Sequence, residues 1–283
     1  MLFSAVLTVL VQCSFAADIV QIRKADKVPF YSNGKRIEAV WKNADTVTGL
    51  VNPKNAIVEF SPTKAQMLYD ENNLYVSMIA NYHPSFRAPR NPDASLWGDN
   101  NFELFLMADG AQEYFQIAVS ENGGLYRAIG KNKTPLVMKH WVFTEKKRYR
   151  WMANLTIPLS TLKWKPGEQK IRFNVCRYNQ DMPKGKAQQS SFMVLQGGLV
   201  NYHLPDMWPV AEMTAKSGKA KSVAAHSDNI KVNLIPDPGF DFVTRDFKNP
   251  DIQRMETMAM SDIWIIRATG KAYHFYTLGL PAA

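Results

Sequence analysis

Residues 67–80 read MLYDENNLYVSMIA, and the second half of this stretch has the pattern of a β-strand. Over residues 74–80 every second side chain is apolar, and two of the three intervening residues, Tyr75 and Ile79, are apolar as well. Side chains of a strand alternate between its two faces. One face of this strand is therefore predicted to enter a core, and the other face is nearly as apolar.

The same pattern continues from about residue 57 to residue 213. Short runs rich in Val, Ile, Phe, Tyr and Trp are separated by turns such as Asn122-Gly123-Gly124, and helical periodicity is nearly absent. The further runs are residues 102–107, 113–120, 125–129, 136–143, 148–157 and 169–178. This spacing predicts an all-β fold, an antiparallel β-sandwich. One short connecting helix is predicted at residues 158–162, because Pro158 can open a helical turn.

Composition divides the chain into four predicted segments. Residues 1–16, MLFSAVLTVLVQCSFA, form an apolar run too short to cross a bilayer and end in small residues, which predicts a secretory signal peptide. The alternative is a buried strand, because no Lys or Arg precedes the run. Residues 17–213 are the predicted sandwich, and the Lys-, Ala- and Ser-rich residues 214–231 a linker. Residues 232–283 are interpreted as the truncated start of a second β-sandwich module.

The overall composition narrows the classes of function. The chain has 283 residues, 46% apolar and 21% charged, which excludes a disordered, collagenous or coiled-coil protein. Its net charge is +9, and basic and acidic residues are intermixed along the whole chain. The basic cluster at residues 146–150 is interpreted as the tip of a hairpin. No nucleic-acid partner is therefore predicted. No stretch predicts a membrane span. Beyond the predicted signal peptide only Cys176 remains, which suits bacterial-type export to the periplasm or the medium without a disulfide.

Six blocks of sequence occur in an order that is typical of one known family. The blocks are EAVWKNA at 38–44, MLYDENNLYV at 67–76, LWGDNNFELFL at 96–106, YFQIAV at 114–119, WMANLTIP at 151–158 and RFNVCR at 172–177. Over residues 22–213 the chain resembles carbohydrate-binding module family 9 and its relatives. The resemblance implies a β-sandwich that binds sugars. The stretch VNLIPDPGFD at 232–241 is similar to the opening of jelly-roll modules attached to secreted carbohydrate-active proteins.

The resemblance also implies a first group of carbohydrate-binding residues. Trp97 matches an aromatic wall of the family site, where a flat ring covers the C–H patches of a pyranose. The alternative is that Trp97 packs in the core. Glu103 matches a ligand position of the family. Asp99 and Asn101 are expected on the same face as Glu103 because strand side chains alternate, the alternative being that all three are polar residues of a strand edge.

A second group lies on later segments and departs from the family pattern. Tyr202 or His203 stands where the opposite aromatic wall usually has Trp. Gln116 lies in the block that carries a binding Arg in the family, and the place of that Arg is taken by Ala118. In the family a Glu stands two residues before an Ala-Ile-Pro element. In this sequence the position of that Glu is taken by Asn154. Several polar ligands of the family are therefore replaced.

These observations predict an exported, non-catalytic carbohydrate-binding protein. Its partners would be a polysaccharide or oligosaccharide and, by resemblance, glycoside hydrolases of a polysaccharide-degrading system. An enzyme is the first alternative, but the sequence has no phosphate loop, nucleophile elbow or paired metal-ligand motif. A sandwich with a structural or adhesive role, its sugar site lost, is another.

Cofactor binding gives the remaining alternatives. Relatives of this sandwich include periplasmic haem domains with Met and Lys ligands, and the chain has 13 Met. Met67, Met78 and Met107, however, are interpreted as core residues. Asp70 and Glu71 offer oxygen ligands for a structural calcium ion, although a polar turn is the preferred interpretation. No other cofactor is predicted.

Overall fold

The structure is a computed structural model of the chain. It describes residues 19–53, 58–88, 94–167, 169–185, 187–193 and 201–225, and the backbone of residues 262–269 and 272–279. The predicted signal peptide, residues 1–16, lies outside the described residues. So does the opening stretch of the predicted second module, residues 232–241.

The described part of the chain is built from strands, with one short α-helix, α1 (Glu38–Trp41). The strands are β1 (Val20–Lys24), β2 (Thr46–Thr48), β3 (Thr63–Tyr69), β4 (Asn73–Asn81), β5 (Asn101–Ala108), β6 (Phe115–Ser120), β7 (Leu125–Ile129), β8 (Asn132–Lys133), β9 (Lys139–Glu145), β10 (Arg150–Pro158), β11 (Gln169–Asn179), β12 (Gln188–Ser191), β13 (Val210–Thr214), β14 (Ser222–Ala224), β15 (Asp262–Thr269) and β16 (Ala272–Gly279). Single 3-10 turns occur at Pro84–Phe86, Leu96–Gly98, Lys146–Arg148, Pro183–Gly185 and Pro205–Met207.

Strands β1 to β14 form one curled sheet whose two halves face each other as a sandwich. The strand order is β8-β7-β6-β5-β11-β13-β1-β3-β4-β10-β9, with β12 beside β11, β2 beside β3 and β14 beside β2. Most neighbours are antiparallel, as predicted. Strand β1 runs parallel to both β13 and β3, and β14 runs parallel to β2, so the sheet is mixed. Strands β15 and β16 pair with each other as an antiparallel hairpin.

The core lies between the two halves and follows the predicted alternation. Val76 and Met78 on β4 are fully buried in one large apolar cluster together with Leu104 on β5 and Phe173 on β11. The other face of β4 is covered as well, because Tyr75 packs in a smaller cluster with the N-terminal segment. The sequence prediction that both faces of this strand are apolar is therefore confirmed.

The position of the helix differs from the prediction. Residues 158–162 form a hydrogen-bonded turn, in which the Leu162 N–H donates to the Pro158 carbonyl at 3.4 Å. The turn ends because Lys163 adopts a left-handed conformation with φ 56°, and the Trp164 N–H closes back onto the Leu159 carbonyl at 2.9 Å. The helix α1 has no side-chain cap and is stabilised by burial of its last residue, so the sequence carried no capping signal for it.

The sandwich extends past the predicted boundary at residue 213. Strand β14 lies inside the predicted linker and adds to β2, and Val223 and Ala225 are buried in the core. Lys221 donates its backbone N–H to Asp45 at 3.1 Å. The sequence of β14 has one large apolar side chain, Val223, in a Lys- and Ala-rich stretch, and this does not predict a strand. The strand forms through backbone hydrogen bonds to β2, which is distant in the chain. Within the described residues, no helix is long and apolar enough to cross a membrane.

Candidate functional site

The outer face of the sheet half formed by β5, β6, β7 and β11 carries a row of side chains around Glu103. Glu103 is paired with Cys176 on β11 and with Ala118 on β6, and Ala118 is paired with Tyr126 on β7. Paired residues project on the same face of a sheet. The two direct neighbours of Glu103 are small, so their side chains do not fill the space beside the carboxyl group.

A cleft of about 490 Å³ opens over this face. It is lined by residues of β5, β6, β7, β12 and the loops beside them: Trp97, Glu103, Gln116, Tyr126, Lys131, Gln189, Asn201, Tyr202 and His203. The structure thus brings together five of the seven residues proposed from the sequence. Sequence reasoning missed the other four. Period-two alternation from Leu125 could have suggested an outward-facing Tyr126, whereas no local signal marks Lys131, Gln189 or Asn201.

Trp97 supplies the most exposed aromatic surface of the cleft, with 48% of the residue accessible to solvent. Its ring contacts Tyr126 edge to face, with centroids 5.4 Å apart and an angle of 61° between the planes. The 3-10 turn that carries it is capped by Ser95, whose hydroxyl accepts the Gly98 N–H at 3.2 Å. Because the two rings touch, a ligand can lie against this pair but not between its members.

Asp99 and Asn101 do not line the cleft, which corrects their predicted place beside Glu103. Both are almost fully buried. Asp99 precedes the first residue of β5, so strand alternation does not govern it, and its carboxylate accepts the Asn122 N–H at 3.0 Å. The Asn101 side chain folds back and donates to the Leu96 carbonyl at 3.0 Å. Asn101 therefore braces the turn that presents Trp97, and Asp99 holds the loop at Asn122.

Glu103 and Gln116 form the polar centre of the cleft. The Gln116 amide donates to one Glu103 carboxylate oxygen at 2.8 Å. Burial raises the pKa of the Glu103 carboxyl above its ordinary value of 4.5, and the hydrogen bond from Gln116 opposes that shift. Burial therefore disfavours the charged form of the Glu103 carboxyl group. A ligand hydroxyl that donates a hydrogen bond to the carboxylate would stabilise this charged form.

Substitution of Glu103 by Gln is expected to increase stability at neutral pH and to change its pH dependence. A carboxyl whose folded-state pKa is raised loses stabilising free energy as pH rises from its unfolded value through its folded value. E103Q removes this loss, so its urea midpoint should rise relative to wild type between pH 4 and pH 8. Glu113→Gln, which changes an exposed carboxyl beside β6, is the control. Parallel pH profiles for wild type and E103Q would contradict the expectation.

Tyr202 and His203 also line the cleft, and they belong to a second cluster of aromatic rings around Phe105. The Tyr202 ring packs on Phe105 with centroids 6.4 Å apart. Its hydroxyl oxygen is buried and has no hydrogen-bond partner among the described residues, and burial raises the pKa of this phenol. His203 Nδ1 lies 2.7 Å from the Tyr114 hydroxyl. Trp208 is buried beneath them and donates its indole N–H to the Tyr202 carbonyl at 2.8 Å.

The carboxyl groups of Asp70 and Glu71, the calcium candidates of the sequence, bind to other groups of the chain. Asp70 accepts the Asn72 and Asn73 N–H groups with one oxygen and the Tyr75 hydroxyl with the other. Glu71 forms an ion pair with Lys24. Within the described residues there is no group of three or more His, Cys, Asp or Glu that could hold a metal ion. The geometry is that of a polar turn.

The Met residues that motivated haem binding are part of the packing. Met67 and Met78 lie in the main core, and Met107 lies in the apolar cluster around Phe105 and Trp208. All three were interpreted from the sequence as core residues, and the structure confirms that assignment. None of them lines the cleft.

Similar solved structures complete the description. The module of carbohydrate-binding module family 9 from Caldicellulosiruptor kristjanssonii, in complex with glucose, matches 71% of this chain and 97% of its own, with a TM-score of 0.53 and 14% identity. The chain has the fold of a family 9 carbohydrate-binding module. The cellotriose complex from the same organism covers 77% of this chain and all of its own, with a TM-score of 0.51 and 14% identity. At the level of sequence, no family model and no curated protein matches.

The family 9 fold agrees with the predicted resemblance. Its two halves place Trp97, Glu103 and Gln116 on the outer face of one half of the sandwich. The identity of 14% establishes the architecture and not the ligand. What this cleft binds follows from its own side chains.

Proposed function

We propose that the chain is a non-catalytic carbohydrate-binding protein that holds a sugar in the cleft around Glu103. The observation that carries the proposal is the placement of a half-exposed Trp97 beside the Glu103–Gln116 pair in a cleft of about 490 Å³. A cleft of this volume has the size of a small-molecule site. The family 9 fold adds support, because the matched modules were solved with glucose and cellotriose.

The chemistry of the lining suits a pyranose. Trp97 and Tyr126 offer aromatic surface for the C–H patches of the ring. Glu103 accepts hydrogen bonds from hydroxyl groups, while the amides of Gln189 and Asn201 can both donate and accept. Sugar hydroxyls also donate and accept, so a mixed set of this kind satisfies them when they leave water.

A binding role is favoured over glycoside hydrolysis by the number of carboxyl groups. Glycosidases generally use two carboxyls about 5–10 Å apart. Of the described residues that line the cleft, Glu103 alone carries a carboxyl. We include export through the apolar residues 1–16 in the proposal, and association with glycoside hydrolases of a polysaccharide-degrading system.

The test is a binding panel with the full chain. Glucose, cellotriose, xylo-oligosaccharides and insoluble polysaccharides are compared by affinity electrophoresis and calorimetry. Trp97→Ala is expected to weaken binding of every positive ligand by more than about tenfold, because the ring supplies the main apolar contact. Tyr31→Ala, which removes an aromatic ring that is 58% exposed and outside the cleft, should bind as wild type does.

Two outcomes would overturn the proposal. One is the absence of binding to all sugars by a wild-type chain shown to be folded. The other is binding that Trp97→Ala leaves unchanged, which would place the ligand elsewhere.

A further inference from the structure

The cleft carries unlike charges on different segments. Glu103 lies on β5, and Lys131 lies on the turn between β7 and β8. This turn is tight, because Ile129 pairs with Asn132 and Gly130 adopts a φ of 58° that suits glycine. The Gly130 N–H also donates to the Tyr114 carbonyl at 2.7 Å, which fixes the turn against the start of β6.

The positive charge of Lys131 affects the pKa of His203 and not that of Glu103. Desolvation first and the charge of Lys131 second lower the pKa of His203 below 6.5, whereas the pKa of Glu103 responds to burial and to Gln116. The turn that carries Lys131 lies on the same side of the cleft as His203, because the Gly130 N–H donates to the Tyr114 carbonyl and the Tyr114 hydroxyl lies 2.7 Å from His203 Nδ1. Among the described residues, no carboxylate forms an ion pair with Lys131, so its charge is available to a ligand.

His203 adds a directed hydrogen-bond donor on the same side. Its Nδ1 lies 2.7 Å from the Tyr114 hydroxyl, and no other contact in the described chain satisfies the proton of that phenol. Because Nδ1 is the acceptor within reach of the Tyr114 hydroxyl in the described chain, we assign the phenol as the donor of this hydrogen bond. In the neutral imidazole the remaining proton is then on Nε2. Nothing in the described residues accepts it.

We propose, building on the proposed sugar site, that the cleft prefers an acidic sugar, a uronic acid residue, whose carboxylate meets Lys131 and His203 while its hydroxyl groups bond to Glu103 and Gln116. A carboxylate takes charge-assisted hydrogen bonds from an ammonium group and from an imidazole N–H. A neutral hydroxymethyl group in the same place leaves the cation without a counter-charge. The distribution of donors and acceptors along the cleft thus matches a ligand with its negative charge at one end.

The experiment compares ligands that differ only at C6. The full chain is titrated with β(1→4)-linked trisaccharides of glucose and of glucuronic acid, and with α(1→4)-linked trisaccharides of galactose and of galacturonic acid, at 50 mM and 500 mM salt. In at least one pair the acidic member should bind about tenfold more tightly at low salt, and the preference should shrink at high salt.

Variants of the two lysines of this hairpin locate the effect. Lys131→Gln should reduce the ratio of acidic to neutral affinity to within about twofold. Lys133→Gln removes the same charge from β8, outside the cleft, and should retain the preference.

The results separate this inference from the proposed function. Equal or tighter binding of the neutral member in both pairs, or a preference that Lys131→Gln does not alter, overturns the acidic-sugar inference and leaves the sugar site standing. Failure of all four trisaccharides and of the polysaccharide panel overturns both.

Discussion

Substitution of Arg177 by Met is expected to lower the free energy of unfolding by about 3–5 kcal/mol, because it leaves a buried carboxylate without its cation. Arg177 on β11 is 1% exposed. Its guanidinium donates to the Ser61 carbonyl at 2.6 Å and to the Asn81 carbonyl at 2.7 Å, and it lies 3.9 Å from Glu59. One side chain thereby links β11 to the ends of the strands in the other half of the sandwich.

The free energy of unfolding that Arg177→Met loses should depend on pH, because Glu59 titrates. Burial raises the pKa of this carboxyl from 4.5 to about 6, against the opposing effects of Arg177 and Thr63. An acid with a raised folded-state pKa contributes stability that is lost as pH rises through that value, here about 2 kcal/mol between pH 4.5 and pH 6. Without Arg177 the pKa rises further. Arg177→Met should therefore be more destabilising at pH 8 than at pH 4.5.

Urea unfolding of wild type, Arg177→Met, Glu59→Gln and the double variant at both pH values measures this coupling. We expect the double variant to recover part of the loss, because both buried charges are then absent. Additive effects of the two substitutions, with the same cost at both pH values, would show that the pair does not act through its charge.

Substitution of Trp151 by Ala is expected to cost about 3–5 kcal/mol through the cavity it leaves. Trp151 on β10 is fully buried, and its ring lies against Phe102 on β5 with centroids 4.3 Å apart. This contact joins the two halves of the sandwich directly beneath Glu103. Loss of the ring therefore weakens the support of the strand that carries the polar centre of the cleft.

Substitution of Trp151 by Phe should cost much less than substitution by Ala. Within the part of the chain that the structure describes, the buried Trp151 indole N–H has no hydrogen-bond partner, so Phe removes an unsatisfied donor and keeps most of the apolar contact. Thermal and urea unfolding of both variants tests the comparison. A Phe variant as unstable as the Ala variant would contradict the expectation.

Local patterns in the sequence predicted the strands well and the connections poorly. Val76 and Met78 lie in the core, as the alternation of apolar residues over 74–80 predicted. The helix expected at 158–162 is a turn, since the main-chain conformation of Lys163 ends it. The strand β14 was missed because its partner, β2, is more than 170 residues away in the chain, as the pairing of Ser222 with Thr46 shows.

The sequence by itself determined the class of fold and the presence of Trp97, Glu103 and Gln116 in one ordered set of motifs, because alternation and turn residues are local properties. Only the tertiary structure decided which polar groups share the cleft. Asp99 and Asn101 were excluded from it by contacts with backbone groups of neighbouring loops. Tyr126 was added because β6 lies between β5 and β7 and brings it into the row of Glu103, and Lys131 was added because its turn is held against Tyr114. Which strands are neighbours is decided by the whole sheet and not by local alternation.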